Sequence, residues 1–277
     1  MLMKIKGFAA FLLEYAGVNA LGFYLQKKIY SNNFIRVINY HDTPAKHSKN
    51  LELQLKYFSK YYSPVTLEDL REFFKTKQWH RDKPGIIISF DDGIKSNFQT
   101  ALPLLEKYGF TCWFFVCPGF INAKDKKKFA EKHSINAQNT ATPTWAELKK
   151  TAKEHVIGAH TLNHKRLGKL STDEIKHEIT GSKKILEQKL GKTDCFAWVG
   201  GELNSYSKQA SRKITNAGFE FIFQTNSYHI TKNTKKHLLQ RTNIECSYPI
   251  YLVKFQLSGI MDILYWPKRK LVEKITS

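Results

Sequence analysis

Short runs of β-branched and aromatic residues alternate along this chain with segments whose apolar residues recur every three or four positions. The runs at 34–40, 86–90, 110–117, 156–159, 196–199 and 219–224 read as buried strands, and 238–244 as a final strand. Between them, helical spacing marks 50–62 (Leu51, Leu55, Phe58, Tyr62), 67–77, 97–108, 144–154, 171–190 and 207–217. Thr66 with Asp69, and Ser171 with Glu174, stand where helix caps belong, and Gly109, Gly191 and Gly218 stand where helices stop. Residues 122–143 are polar and lysine-rich and read as an excursion loop. Strand and helix alternating in this way predict an α/β fold, either a barrel or a doubly wound sheet.

The pattern changes at both ends. Residues 7–13 are apolar behind Lys4 and Lys6, and Val18-Asn19-Ala20 has the small-residue character of a signal-peptide cleavage site. Glu14, Asn19 and Gln26 break that run, so an amphipathic helix ending at Lys27 and Lys28 is the better expectation. The segment 249–275 is apolar and aromatic and then basic, with Lys268, Arg269 and Lys270. Three parts follow: an N-terminal helix over 1–30, a catalytic domain over 31–246 and an aromatic-basic tail over 247–277.

Composition sharpens this only in part. A chain of 277 residues with 42% hydrophobic residues can bury a large core. Lysine and arginine outnumber aspartate and glutamate by 44 to 24, a net charge of +20, which suits an anionic neighbour such as a membrane surface or a phosphate-bearing lipid. No base-reading or phosphate-cradling motif accompanies the charge, so nucleic acid is not the expected partner. The four cysteines, Cys112, Cys117, Cys195 and Cys246, form no C-x-x-C pair and no disulfide framework.

The chemistry collects just after the predicted strands. Ile86–Phe90 runs directly into Asp91-Asp92-Gly93. Two carboxylates at the mouth of a buried strand need a cation or a proton to compensate them, although Asp-Gly is also a common turn. His160 and His164 are four residues apart after the next strand but one, and would face one cation if 160–164 were a helical turn. Two histidines and one carboxylate leave an open coordination position, the arrangement of a catalytic metal. Asp92 could supply that carboxylate and leave Asp91 as a base. His41 follows the first strand, where an imidazole can give up a proton near neutral pH or simply cap the strand.

Ser89-Phe90-Asp91-Asp92-Gly93 and His160-Thr161-Leu162-Asn163-His164 resemble the first two motifs of the polysaccharide deacetylases, the NodB-type carbohydrate esterase family 4. The likeness extends over about residues 34–245 and is nearest to members that act on biofilm poly-N-acetylglucosamine. It implies a distorted (β/α) barrel, Asp91 as catalytic base, and Asp92, His160 and His164 as ligands of a divalent metal, zinc by preference. The substrate it implies is an N-acetylated glycan or a lipid-linked amino sugar, at the cell envelope and peripheral to the inner membrane.

Two departures stand out. Ala197-Trp198-Val199-Gly200-Gly201 occupies the place of a third motif that usually carries an arginine to orient the base. Trp198, Gly200 and Gly201 are expected there as substrate, oxyanion-binding or supporting groups; Trp198, Trp113 and Trp145 can offer stacking faces to a sugar ring, with core packing the expected role of at least two of them. Arg241 is the proposed substitute for the missing arginine. No clean copy of the last motif, Leu-x-His, stands near the C-terminus, and His229 and His237 are expected at the surface. Tyr40-His41-Asp42 resembles the motif that supplies the acid in the biofilm subgroup. The decayed third motif leaves a catalytically impaired glycan-binding member of the fold as the alternative.

Overall fold

The computed structural model describes residues 10–138 and 140–277. Lys4, Lys6 and the start of the expected N-terminal helix lie outside these residues. Parallel strands β1 (Ile35–Tyr40), β3 (Gly85–Phe90), β4 (Cys112–Val116), β5 (Val156–Ala159), β6 (Cys195–Ala197) and β7 (Phe221–Gln224) form one sheet in chain order. β2 (Ser63–Pro64) extends β3, and β8 (His229–Ile230) runs antiparallel to the start of β1.

The expected single strand 238–244 is divided. β9 (Leu239–Gln240) pairs with β7, whereas β10 (Thr242–Asn243) pairs with β1. The chain changes partner at Arg241, so one side chain stands where the two ends of the sheet meet. This all but closes the sheet into a distorted barrel.

The two-residue period of the strands sorts the core. Ile35, Val37, Ile87, Trp113, Phe115, Cys195, Ala197, Phe221, Phe223 and Leu239 fill one cluster. Ile38, Tyr40, Ile86, Ile88 and Phe90 face the other way, into a larger cluster with helices Ser48–Tyr61 and Thr172–Leu190. Trp113 and Trp198 are fully buried and Trp145 donates its indole N–H to Asn122, so two of the three candidate stacking faces are core residues. All four cysteines are buried free thiols.

Three expectations are corrected. Residues 122–143 are not wholly loop but carry the helix Lys126–Lys132, capped by the Asp125 carboxylate. Residues 160–164 form no helical turn; Thr161 and His164 have positive φ, at 61° and 55°. His229 is not a surface residue. It is 3% exposed, because β8 pins it against β1 and Asp262 lies 3.4 Å from its ring. Polar sequence neighbours hid this, since a two-residue strand has too few positions to show a period.

The tail folds into the helices Ile250–Leu257, Ile260–Leu264 and Trp266–Thr276, which pack back on the barrel with the helix Val18–Tyr30. Arg36 on β1 anchors them. Its guanidinium donates 2.8 Å hydrogen bonds to both carboxylate oxygens of Asp262 and one of 2.6 Å to Gln26 Oε1.

Candidate active site

Strand period places Asp91. Val37 and Ile87 belong to the inner cluster, and Asn39, Ser89 and Asp91 continue those rows by steps of two toward the strands' carboxyl ends. Asp91 is 2% exposed, and Arg241 Nη1 donates to its Oδ1 at 2.6 Å while Nη2 donates to Oδ2 at 2.9 Å. Asn39 Nδ2 adds a 2.9 Å bond to Oδ2, and Arg241 also donates to Asn39 Oδ1 at 3.0 Å. The guanidinium lies over the Phe115 ring, 5.2 Å from its centroid. Burial alone would raise the Asp91 carboxyl, but Arg241 and then His160 outweigh it and hold it below the usual carboxylate range. Arg241 thus brings to Asp91 a guanidinium that the 197–201 segment lacks.

The next residue faces elsewhere because its backbone does. Asp92 has φ 72°, in the left-handed region that non-glycine residues seldom adopt. Its carboxylate meets the two imidazoles, with Oδ1 at 3.6 Å from His160 Nε2 and 3.1 Å from His164 Nε2. The turn that holds the histidines is braced from behind. Buried Glu178 accepts hydrogen bonds from the Asn163 N–H at 2.8 Å and its Nδ2 at 2.9 Å, and the Thr161 hydroxyl accepts from the Lys165 N–H.

The donor set fits a divalent cation. His160 Nδ1 lies 2.9 Å from the Ala197 carbonyl, and His164 Nδ1 lies 2.7 Å from that of His133. A carbonyl can only accept, so each Nδ1 carries the proton. Burial pushes the His160 imidazole down to about 4, leaving it neutral with a bare Nε2 lone pair aimed at carboxylate oxygens. Asp92 Oδ1 has no donor among the described residues when both rings are neutral, and against its burial the carboxylate pushes the His164 imidazole up, so the trio calls for a positive charge, a proton or a metal ion, at its centre. One ligand atom from each of Asp92, His160 and His164 lies within 4.8 Å of the others, with the outer nitrogens fixed by carbonyls as metal-ligating histidines require.

These groups open into a cleft of about 690 Å³ lined by His41, Asp42, Asp92, His164, Val199, Gly200, the helix end Lys132 and the following residues His133, Ser134 and Asn136. His41 is half-buried directly after β1, and Asn97 Nδ2 holds its carbonyl at 2.8 Å. Gly200 has φ 78°, and a Cβ there would lie 2.6 Å from Ser205 Oγ, so only glycine lets this wall come so close. Trp198 does not reach the cleft. Its ring is packed on Phe196 and Tyr206, its backbone N–H bonds to the Phe223 carbonyl, and its buried indole N–H has no acceptor among the described residues. The Gly201 N–H is taken by Glu202.

Asn39, Ser89, Glu178 and the His133 carbonyl went unnoticed in the sequence. Asn39 and Ser89 were readable from the strand period, each being a polar residue at an inner position. Glu178 sits on the apolar face of its helix beside Ile175 and Ile179, a misplaced charge that also signals a partner.

The model of the polysaccharide deacetylase family matches residues 79–238. A Staphylococcus aureus poly-β-1,6-N-acetyl-D-glucosamine N-deacetylase is 24% identical over 266 residues, covering 91% of this chain and 84% of that one. YxkH of Bacillus subtilis (strain 168), named for polysaccharide deacetylase, is 24% identical over 161 residues, 57% of this chain; the match spans only 51% of that relative. Among solved structures, the Streptococcus pyogenes deacetylase PplD in complex with acetate superposes with a TM-score of 0.65 at 19% identity, covering 82% of this chain and 98% of that one. The fold is that of the NodB-type carbohydrate esterases. The chain belongs to the polysaccharide deacetylase family. His41 and Arg241 both lie outside the matched 79–238 segment.

Proposed function

We propose that this chain is a metal-dependent deacetylase that hydrolyses N-acetyl groups on amino sugars of a bacterial surface polysaccharide or its lipid-linked precursor. The observation that carries the reading is the pair of differently held carboxylates. Asp91 is clamped by Arg241 and Asn39, while Asp92 faces His160 and His164. The name of the S. aureus relative supports a poly-N-acetylglucosamine substrate, and PplD's acetate complex agrees with the product.

Asp92, His160 and His164 would hold the cation, and two nitrogens with one carboxylate favour zinc, which supplies Lewis acidity toward an acetamide carbonyl and an attacking water. Asp91 takes the proton of that water. Its carboxylate needs no reorientation to do so, because Arg241 and Asn39 fix its plane. His41, on the cleft wall, returns a proton to the departing sugar amine, and the product pair is acetate and a free amino sugar. Val199 and Gly200 also line this cleft, and a backbone N–H of that turn is the proposed group to meet developing charge on the carbonyl oxygen.

The test is acetate release from N-acetylglucosamine oligomers, with chelator and with zinc restored, in the wild type, His160→Ala and Asp91→Asn. The expected result is metal-restored release in the wild type and loss in both variants. Full release by Asp91→Asn, or glycan binding by the zinc-loaded wild type without acetate release, would overturn the reading.

A further inference from the structure

The helix Val18–Tyr30 is partly inverted: Phe23 and Tyr30 pack against the core, but its two most buried positions are polar. Asn19 and Gln26 face inward, at 2% and 7% exposure, while Leu21, Tyr24, Leu25 and Ile29 face outward, Ile29 at 71%. A surface helix ordinarily buries its apolar stripe and shows water its polar one. Here both inward amides are tied down, Gln26 at both ends and Asn19 through its Nδ2, while Asn19 Oδ1 finds no donor among the described residues. Asn19 Nδ2 donates to Glu14 at 3.0 Å, Gln26 Nε2 donates to the Leu257 carbonyl at 2.9 Å, and Gln26 Oε1 accepts from Arg36. Gly22 lets the helix lie directly on the chain at Ser258, where a Cβ would stand 2.4 Å from the carbonyl oxygen. The inversion is therefore built into the packing and is not a loose end.

The outward stripe continues. Residues 10–15 are helical and expose Phe11, Leu12 and Tyr15, so apolar side chains recur at helical spacing from 11 to 29 across the break at Gly17. Ala10 and Leu13 join Phe255, Met261 and Tyr265 in a small cluster, which sets this stripe beside the helices that expose Ile263, Leu264 and Trp266. An apolar face of this extent needs a partner.

Charge identifies the partner. Lys27 and Lys28 end the stripe, and Ile29 opens onto a cleft of about 920 Å³ lined by Lys232, Lys235, Lys270 and Lys274. The acids nearby are engaged: Glu14 with Lys254, Glu273 with Lys270, and Asp262 buried on Arg36. Apolar residues edged by lysines suit the boundary between acyl chains and anionic headgroups. No helix among the described residues is long and apolar enough to cross a membrane, so such a contact would be peripheral.

We propose that this face docks the enzyme on an anionic phospholipid bilayer, with the helical residues 11–29 and the 263–266 corner lying in the interface. The test is co-sedimentation of the full chain with vesicles of phosphatidylcholine alone and with phosphatidylglycerol added. The expected result is binding to the anionic vesicles that weakens with salt and falls at least tenfold in the Leu21→Glu/Leu25→Glu/Ile29→Glu variant. Its melting temperature and acetate release from soluble oligomers should stay near wild type. Should that variant fail to fold, Lys28→Glu/Lys232→Glu/Lys274→Glu should lose the anionic preference instead. Equal binding to neutral vesicles, no binding to either, or a stable dimer in sedimentation velocity that the triple glutamate variant dissolves would overturn the proposal.

Discussion

Two buried arginine–aspartate pairs lie at different places on this barrel, and they are built alike and used differently. Arg36 and Arg241 are both fully buried, and each donates to both oxygens of its aspartate. In both aspartates burial pushes the carboxyl up, and the guanidinium together with a neighbouring imidazole more than reverses it. Asp262 is then closed off by Ser227 and by a facing His229, and it ties the C-terminal helices to β1. Asp91 instead keeps an imidazole, His160, at 3.9 Å on its remaining side, next to the cleft residue Asp92. The same ion pair is thus an anchor at Asp262, where Ser227 and His229 close it off, while at Asp91 it stands beside His160 and Asp92, where the proposed function calls for a positioned base.

Exchanging the carboxylates should separate the two roles most widely. Asp91→Asn is expected to lower kcat/KM by about 10²–10⁴-fold. Asp262→Asn should leave kcat/KM of the folded protein unchanged and cost about 3–5 kcal/mol in urea unfolding, since it strands a buried guanidinium. Equal loss of activity in both would mean the anchor also shapes the site.

Conservative exchange of the arginines is the finer probe. Arg241→Lys keeps the charge but loses the two-pronged grip, so kcat should fall about 10–100-fold with KM little changed, through misplacement of Asp91. Arg36→Lys should keep kcat and lose about 1–3 kcal/mol of stability. A KM effect without a kcat effect at Arg241 would contradict a positioning role.

The smallest effect concerns acid. Burial holds His229 at about 4, below the 6.5 of an open imidazole. Between those values the unfolded chain binds the extra proton, so this share of stability is whole above pH 6.5 and drains away as pH falls toward 4. His229→Asn should flatten that part of the stability profile, measured as melting temperature against pH. An unchanged slope would place the acid sensitivity elsewhere.

Much of this was legible in the chain. The β-branched runs, the helix caps at Thr66 and Ser171 and the order of strands were set by local pattern, because side-chain alternation and capping need only near neighbours. The carboxylate pair and the two histidines were visible as residue types at strand ends. The route by which His160 and His164 converge was not, since a left-handed turn braced by Glu178 replaces the expected helical one.

What the sequence determined by itself was therefore the alternating α/β order and the chemical inventory of the site. What only the tertiary structure decided was partnership. It split 238–244 at Arg241 to close the sheet and buried His229 on a two-residue strand. It also turned the polar face of the N-terminal helix inward. The reason is one of range. Periodicity reports which face of an element is apolar, but the free energy of a buried charge depends on a partner supplied from elsewhere, 150 residues away in the case of Arg241 and Asp91.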